Sequence, residues 1–278
     1  MQKKCDSMTG LPVENQATIP LVRPESAAEV DGVSFFFTTR HGGVSRGEYA
    51  SLNLGEHVGD DPAAVANNRA RVAESWDGRV KRVCYLNQVH GTTTITTDGS
   101  LMTPPDADAW VTRQEGIVLA IMTADCAPVL LADGTARVIG AAHAGWRGGL
   151  FGILESCLTA MVRLGAQRER INALIGPCIH PSSYTVNADF QAAFATHSGK
   201  IADGYKKFFS KQNSNGRMQF DLPGYLRERL RTTGLSEERI HDVKLCTYSE
   251  SNDFFSHRRA TQQGTAPCGR QIGGIFLA

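Results

Sequence analysis

The stretch TADCAPVLLADGTARVIGAAHAGWRGG, which begins at Thr123, puts a thiol, Cys126, at the start of one apolar segment and an imidazole, His143, at the end of the next. A third group of the same kind, His90, closes the segment VCYLNQVHG. A side chain at a strand end is held by the sheet yet reaches a cleft. If the three strands are neighbours, one Cys and two His converge, a donor set suited to zinc. Three protein ligands leave a fourth position for water, as at a catalytic zinc, which would keep Cys126 a thiolate and acidify that water. Two other readings stand beside this one: a Cys126 nucleophile with His143 as its base, which leaves His90 unexplained, and a buried thiol beside hydrogen-bonded core histidines.

Asp125, next to Cys126, is the carboxylate placed to shuttle a proton. Successive strand residues point to opposite faces, so it is equally a turn-capping residue. Arg40 at the end of VSFFFTTR, Arg147 near a helix start after Gly148-Gly149, and Arg258 in SHRR are candidate anion holders. His57 and His257 are candidate proton donors. Asn53 in SLNLG is a candidate substrate contact or a turn former, and Cys178 in GPC lines the cleft or packs beneath it.

The elements that must carry these groups follow from periodicity. VSFFFTTR, VCYLNQVHG, ADAWVT, GIVLAIMTAD, PVLLAD, ARVIGAAHA, INALIGPCI, HDVKLCTY and GGIFLA read as strands, with Asp133-Gly134 as a hairpin turn. DDPAAVANNRARVAESW reads as a helix capped by Asp61, with Pro62 in its first turn and Val65, Val72 and Trp76 on one face. GGLFGILESCLTAMVRLGA reads as one helix with Leu150, Ile153, Leu154, Cys157, Leu158, Met161 and Val162 in its apolar stripe, stopped at Gly165. DLPGYLRERLRTTGL reads as another, ending at Gly234. Hairpin and helical connections together imply a mixed sheet with helices packed outside it and one core. Residues 1–20 read as a loosely held extension and 21–278 as a single domain.

The chain has 278 residues, 41% hydrophobic and 21% charged, with a formal net charge of +1. That charge gives no general attraction to nucleic acid or to an anionic membrane. The longest apolar runs are too short to span a bilayer, and no secretory signal opens the chain. The seven cysteines are odd in number, widely spaced and without a CxxC pair, which suits reduced thiols in a cytoplasmic protein.

Taken in order, NQVHG, ADAWVT, TADCAPVLLAD, AAHAGWRGG, IGPCI followed by Tyr184, and CTYSESNDFFSHRR with Gly269-Arg270 closely resemble the family called laccase-domain proteins, polyphenol oxidases or peptidoglycan editing factors, also described as purine nucleoside phosphorylases. The likeness runs from about Phe35 to the end of the chain; Cys268 departs from it, where the family pattern has Thr. The resemblance implies one α+β domain with mixed sheets and flanking helices in an α/β/β/α layering. It implies a metal site at His90, Cys126 and His143; the donor set suits one Zn2+ per chain, and Cu2+ is a possible substitute by the usual affinity order. It also implies phosphorolysis of adenosine, inosine, guanosine and methylthioadenosine, and deamination of adenosine. The expected partners are a purine nucleoside and phosphate, with a monomer favoured. Asp125 and Cys126 are then the expected catalytic residues, and Arg40, Asn53, Arg147, Cys178, His257 and Arg258 the expected substrate contacts. The editing-factor name implies instead a hydrolase that removes a wrong amino acid from a UDP-MurNAc cell-wall precursor. The third name, a copper polyphenol oxidase, fits less well: a trinuclear copper cluster uses several His-x-His pairs, and the eight histidines form none. A blue-copper site adds a nearby Met, and Met122, four strand residues before Cys126, lies roughly 13 Å off along the chain.

Overall fold

The computed structural model describes residues 19–23, 30–76, 78–197 and 204–278; the expected extension lies outside them save for its last two residues. Two mixed sheets face each other. The first has the order β1 (Leu21–Val22), β2 (Val33–Thr38), β13 (Gln271–Leu277), β6 (Ile117–Thr123), β3 (Arg82–Cys84). All its pairings are antiparallel except β3 with β6. The second has the order β12 (Ile240–Asp242), β9 (Asn172–Ile175), β7 (Ala127–Asp133), β8 (Val138–Ala144), β5 (Ala109–Thr112), β4 (Thr94–Thr96), parallel at its two edges and antiparallel between. A short ribbon joins β10 (Thr185–Val186) to β11 (Met218–Gln219).

The central strands read as unbroken apolar runs because both their faces are covered. On β7, Leu130 and Ala132 meet Leu119, Ile121 and Ile275 of the first sheet. Their neighbours Val129 and Leu131 point the other way, toward α2 (Trp146–Phe151), α3 (Ile153–Arg163), α4 (Ala188–His197) and α5 (Leu222–Thr232). The outer face of the first sheet, with Phe36, Val118, Ile272 and Phe276, packs on Val72 of α1 (Pro62–Glu74) and on Trp76. The result is the α/β/β/α layering in one α+β domain. A sixth helix, α6 (His257–Gln263), lies near the end of the chain.

Several expected elements have shifted bounds. Asp61 caps α1 by accepting from the Ala63 N–H at 3.0 Å, and Pro62 opens it. The single helix expected after His143 is two: Gly152, at φ 104°, ends α2 and starts α3. Because α2 begins at Trp146, Gly148 and Gly149 lie inside it rather than before it. A Cβ on Gly149 would sit 2.8 Å from Leu226 Cδ2, so the glycine lets α2 lie against α5. Val162 leaves the expected stripe and is exposed. The strand expected over VCYLNQVHG stops at Cys84, because the Gln88 side chain takes over the ladder: its Nε2 donates to Met122 O and its Oε1 accepts from Met122 N, both at 2.8 Å. The backbone beyond is thereby free to turn toward the other sheet. HDVKLCTY likewise leaves its sheet after Asp242, and Lys244 follows at φ 57°.

Candidate metal centre

The site forms at the rim of the sandwich, where the chain crosses between sheets. β6 belongs to the first sheet and β7 to the second, and Cys126 ends the short link between them. The β3–β4 connection makes the same crossing and carries His90, at φ 59°. His143 stands on β8 opposite Pro128 of β7. The three groups therefore come from two crossovers and one strand, not from three neighbouring strands. One ligand atom from each lies within 4.8 Å of the others, and the two imidazoles meet edge to face at 4.8 Å between ring centres.

Asp108, fully buried one residue before β5, ties the two imidazoles together. Its Oδ1 is 2.8 Å from His143 Nδ1 and accepts from the His90 N–H at 3.0 Å. Its Oδ2 accepts from the N–H groups of Val89 at 3.2 Å and Gly91 at 2.6 Å. Burial alone would raise its pKa, but the His143 hydrogen bond and the backbone donors hold the carboxyl below its usual range. With Nδ1 committed to Asp108, Nε2 is the nitrogen His143 offers to the thiol and to a cation, the arrangement seen where a carboxylate orients a metal-bound imidazole.

Burial opposes ionisation of Cys126, yet His143 and His90 outweigh it and draw the thiol down to about 6. Burial likewise opposes charge on His143, and the Cys126 sulfur and Asp108 outweigh that, raising it to about 9. The pair thus favours thiolate beside imidazolium when no cation intervenes. Gly145 is required for the approach: a Cβ there would lie 2.7 Å from Cys126 Sγ. One sulfur and two imidazole nitrogens suit zinc or copper and match neither calcium nor magnesium.

The trio lines a cleft of about 460 Å³, within the range of small-molecule sites. Arg147, His257 and Arg258 line it, as expected. Asp125 lines it too, at φ 95°, but its Oδ1 accepts from Thr247 Oγ1 at 2.7 Å and its Oδ2 from the Arg258 N–H at 2.6 Å. Oδ2 therefore anchors the start of α6, and Oδ1 ties the Thr247 loop to the same point. Three expected substrate contacts lie elsewhere. Arg40 donates to Ala50 O at 2.8 Å and to Ser251 O, and its guanidinium covers Phe255 at 4.7 Å, so loop backbone uses it up. Asn53 is fully buried; its Oδ1 accepts from the Gly55 and Arg270 N–H groups and its Nδ2 reaches Asp60, so it shapes its turn. Cys178 is fully buried in the core beneath the site, where burial holds its thiol well above the ordinary range.

Asp108, Gln88, Tyr184 and Arg270 were not among the residues expected to act here. Asp108 had a signal: a carboxylate opening the otherwise apolar run DAWV. Arg270 lines the cleft beside His57, whose pKa is lowered by burial and then by the Arg270 charge. Cys268, the departure from the family pattern, is buried; its thiol is raised by burial, and its carbonyl accepts from Arg270 Nη1 at 2.7 Å.

A model of the family described as multi-copper polyphenol oxidoreductase laccase matches residues 34–278. The purine nucleoside phosphorylase ORF3 of Streptomyces griseus is 39% identical over 260 residues, 92% of this chain and 99% of that one. The purine nucleoside phosphorylase of Deinococcus radiodurans is 40% identical over 245 residues, 88% and 89% of the two chains. Among solved structures, YfiH of Bacillus licheniformis superposes with a TM-score of 0.84 at 30% identity, covering 94% of this chain and 97% of that one. A Neisseria meningitidis protein of the DUF152 family does so with a TM-score of 0.80 at 35% identity, covering 92% and 98%. With the fold, the His-Cys-His cluster and these likenesses together, the chain belongs to the laccase-domain family, whose curated relatives are named purine nucleoside phosphorylases.

Proposed function

We propose that this protein is a zinc-dependent purine nucleoside phosphorylase that also deaminates adenosine. The observation that carries the reading is the convergence of His90, Cys126 and His143 in a cleft whose lining also supplies arginines and aromatic rings. The names of the relatives supply the substrate class, purine nucleosides; within it the proposed substrates are adenosine, inosine, guanosine and methylthioadenosine. The cluster fits zinc by donor type and by spacing, with His90, Cys126 and His143 as ligands. A zinc ion there would supply Lewis-acid polarisation and an acidified water. Asp108 fixes the ring nitrogen that His143 presents. Arg270, rather than Arg40, is the guanidinium placed to hold phosphate on the side of the first sheet, beside His57. Arg258 and His257 meet the nucleoside on the opposite side. Asp125 positions the Arg258 backbone instead of shuttling a proton. The protein is proposed to work as a cytoplasmic monomer; among the described residues no helix is long and apolar enough to cross a membrane.

Metal-replete protein incubated with adenosine should yield inosine and ammonia by deamination whether or not phosphate is present, and adenine and, from the inosine, hypoxanthine, each with ribose 1-phosphate, only when phosphate is added. Absence of all these products would refute the reading.

One observation favours a second reading. Cys126 at about 6 beside His143 at about 9 is a thiolate–imidazolium pair, the resting state of a cysteine nucleophile. Such a group would suit hydrolysis of an amide or ester, as in editing of a cell-wall precursor. Undiminished turnover after complete metal removal, abolished by Cys126→Ser, would select this reading over the zinc one.

A further inference from the structure

The cleft carries more positive charge than one phosphate would use. Three arginines and a single carboxylate line it, and that carboxylate, Asp125, is already satisfied on both oxygens. The excess is local, since the whole chain carries a formal charge of only +1. It is also divided. Arg270 and His57 come from the layer of the first sheet: Arg270 immediately precedes β13, and its N–H bonds Asn53. Arg147 belongs to α2 in the helix layer of the second sheet, and the Arg258 side chain reaches from α6 to Tyr184 and Thr185.

This second pair is built on an aromatic wall. Arg147 lies 5.0 Å over the Trp146 ring and Arg258 5.1 Å over Tyr184. Trp146 and Tyr184 both pack on Phe190, at 4.7 and 5.9 Å, so the wall is continuous. Arg258 spends Nη1 on Thr185 O at 2.7 Å. Arg147 is exposed, and among the described residues no carboxylate or carbonyl engages it. A guanidinium stacked on an aromatic face loses side-chain freedom but keeps its in-plane N–H donors for a ligand. Both groups line the same cleft, each held over its own ring and with no carboxylate bonded to its guanidinium, which suits them to an anionic group such as phosphate.

We infer that Arg147 and Arg258 form a second anion-binding corner, separate from the Arg270 side, and that the cleft takes nucleosides carrying a phosphate on the sugar in preference to the bare nucleoside. The inference rests on the reading of this cleft as a nucleoside site. It adds to that reading a class of ligand, phosphorylated nucleosides, that the cleft holds more tightly than the bare nucleosides it turns over.

The test is calorimetric binding of adenosine, adenosine 5′-monophosphate and inorganic pyrophosphate to metal-replete protein without added phosphate. The monophosphate should bind at least about tenfold more tightly than adenosine, the gain expected of one added charge-assisted contact, and the gap should shrink as salt is added. Arg147→Gln and Arg258→Gln should each remove most of that gap, whereas Arg147→Lys should restore part of it. Equal affinity for the two ligands would overturn the inference. So would a gap that survives both substitutions, which would place the phosphate elsewhere in the cleft. Failure of the nucleoside reading looks different: adenosine is neither bound nor turned over, while pyrophosphate still binds in a manner that depends on Arg147.

Discussion

Asp108→Asn is the substitution that most sharply separates the metal site from the fold around it. The carboxylate receives two donors on each oxygen, His90 N–H and the His143 ring on one, Val89 N–H and Gly91 N–H on the other. An amide keeps one acceptor oxygen and turns the other position into an NH2 group that faces two donors. Each hydrogen bond to a charged partner is worth about 1.5–3 kcal/mol, so a rigid site would lose roughly 3–6 kcal/mol. Relaxation has two outlets. If the NH2 turns to His143, Nδ1 must accept, the ring proton moves to Nε2, and the nitrogen facing the cluster can no longer bind a cation. If it turns to Val89 and Gly91, the loop that holds His90 in its left-handed conformation loosens. Either way metal affinity should fall about 10- to 100-fold, the usual cost of losing such a partner. Competition with a chelator measures the affinity, and thermal unfolding of the metal-free protein reports whether the chain still folds. A folded Asp108→Asn protein that holds zinc as tightly as the unsubstituted chain would refute the reasoning.

Gly145→Ala should cost metal rather than fold, because its backbone, at φ −74°, accepts alanine while the new Cβ meets Cys126 Sγ; metal content and circular dichroism check both halves. Arg40→Gln should lower the melting temperature and leave KM for phosphate unchanged, since its guanidinium serves Ala50, Ser251 and Phe255. Asp133 is buried, and although burial alone would raise its carboxyl, the Gln167 and Ala136 N–H groups and Arg170 hold it below the ordinary value. Its contribution to stability is therefore complete above the unfolded carboxyl value of about 3.9 and is lost as pH falls through the lower folded one. Asp133→Asn should flatten that acid-side loss in a pH series of unfolding curves. Trp76→Ala, which empties the space between α1 and the first sheet, should destabilise by about 3–5 kcal/mol in denaturant unfolding.

Much of the architecture is legible in the sequence where period and burial agree. PVLLAD and ARVIGAAHA form adjacent strands with Asp133 capping the turn through its bond to Ala136 N–H, and Asp61-Pro62 marks the start of α1. Local pattern fails where tertiary contact decides. VCYLNQVHG has strand periodicity, but Gln88 supplies the ladder bonds by its side chain and the backbone leaves the sheet. The run after His143 has one continuous stripe, yet Gly152 breaks it into two helices. The His90, Cys126 and His143 set was visible as residue types at segment ends, whereas its assembly depends on two crossovers between sheets that no spacing encodes. Arg40 illustrates the opposite error: an arginine at a strand end looks free for an anion until the folded loops bring carbonyls to it.

The proposed activity depends most on one cation shared by His90, Cys126 and His143. Anomalous X-ray scattering collected at the zinc edge from crystals of gently purified, metal-replete protein tests this directly. It should show a single peak among the three side chains, about 2.0–2.1 Å from each imidazole nitrogen and about 2.3 Å from the sulfur. Metal-replete crystals with no anomalous peak between these groups, or with the peak held by other residues, would contradict it.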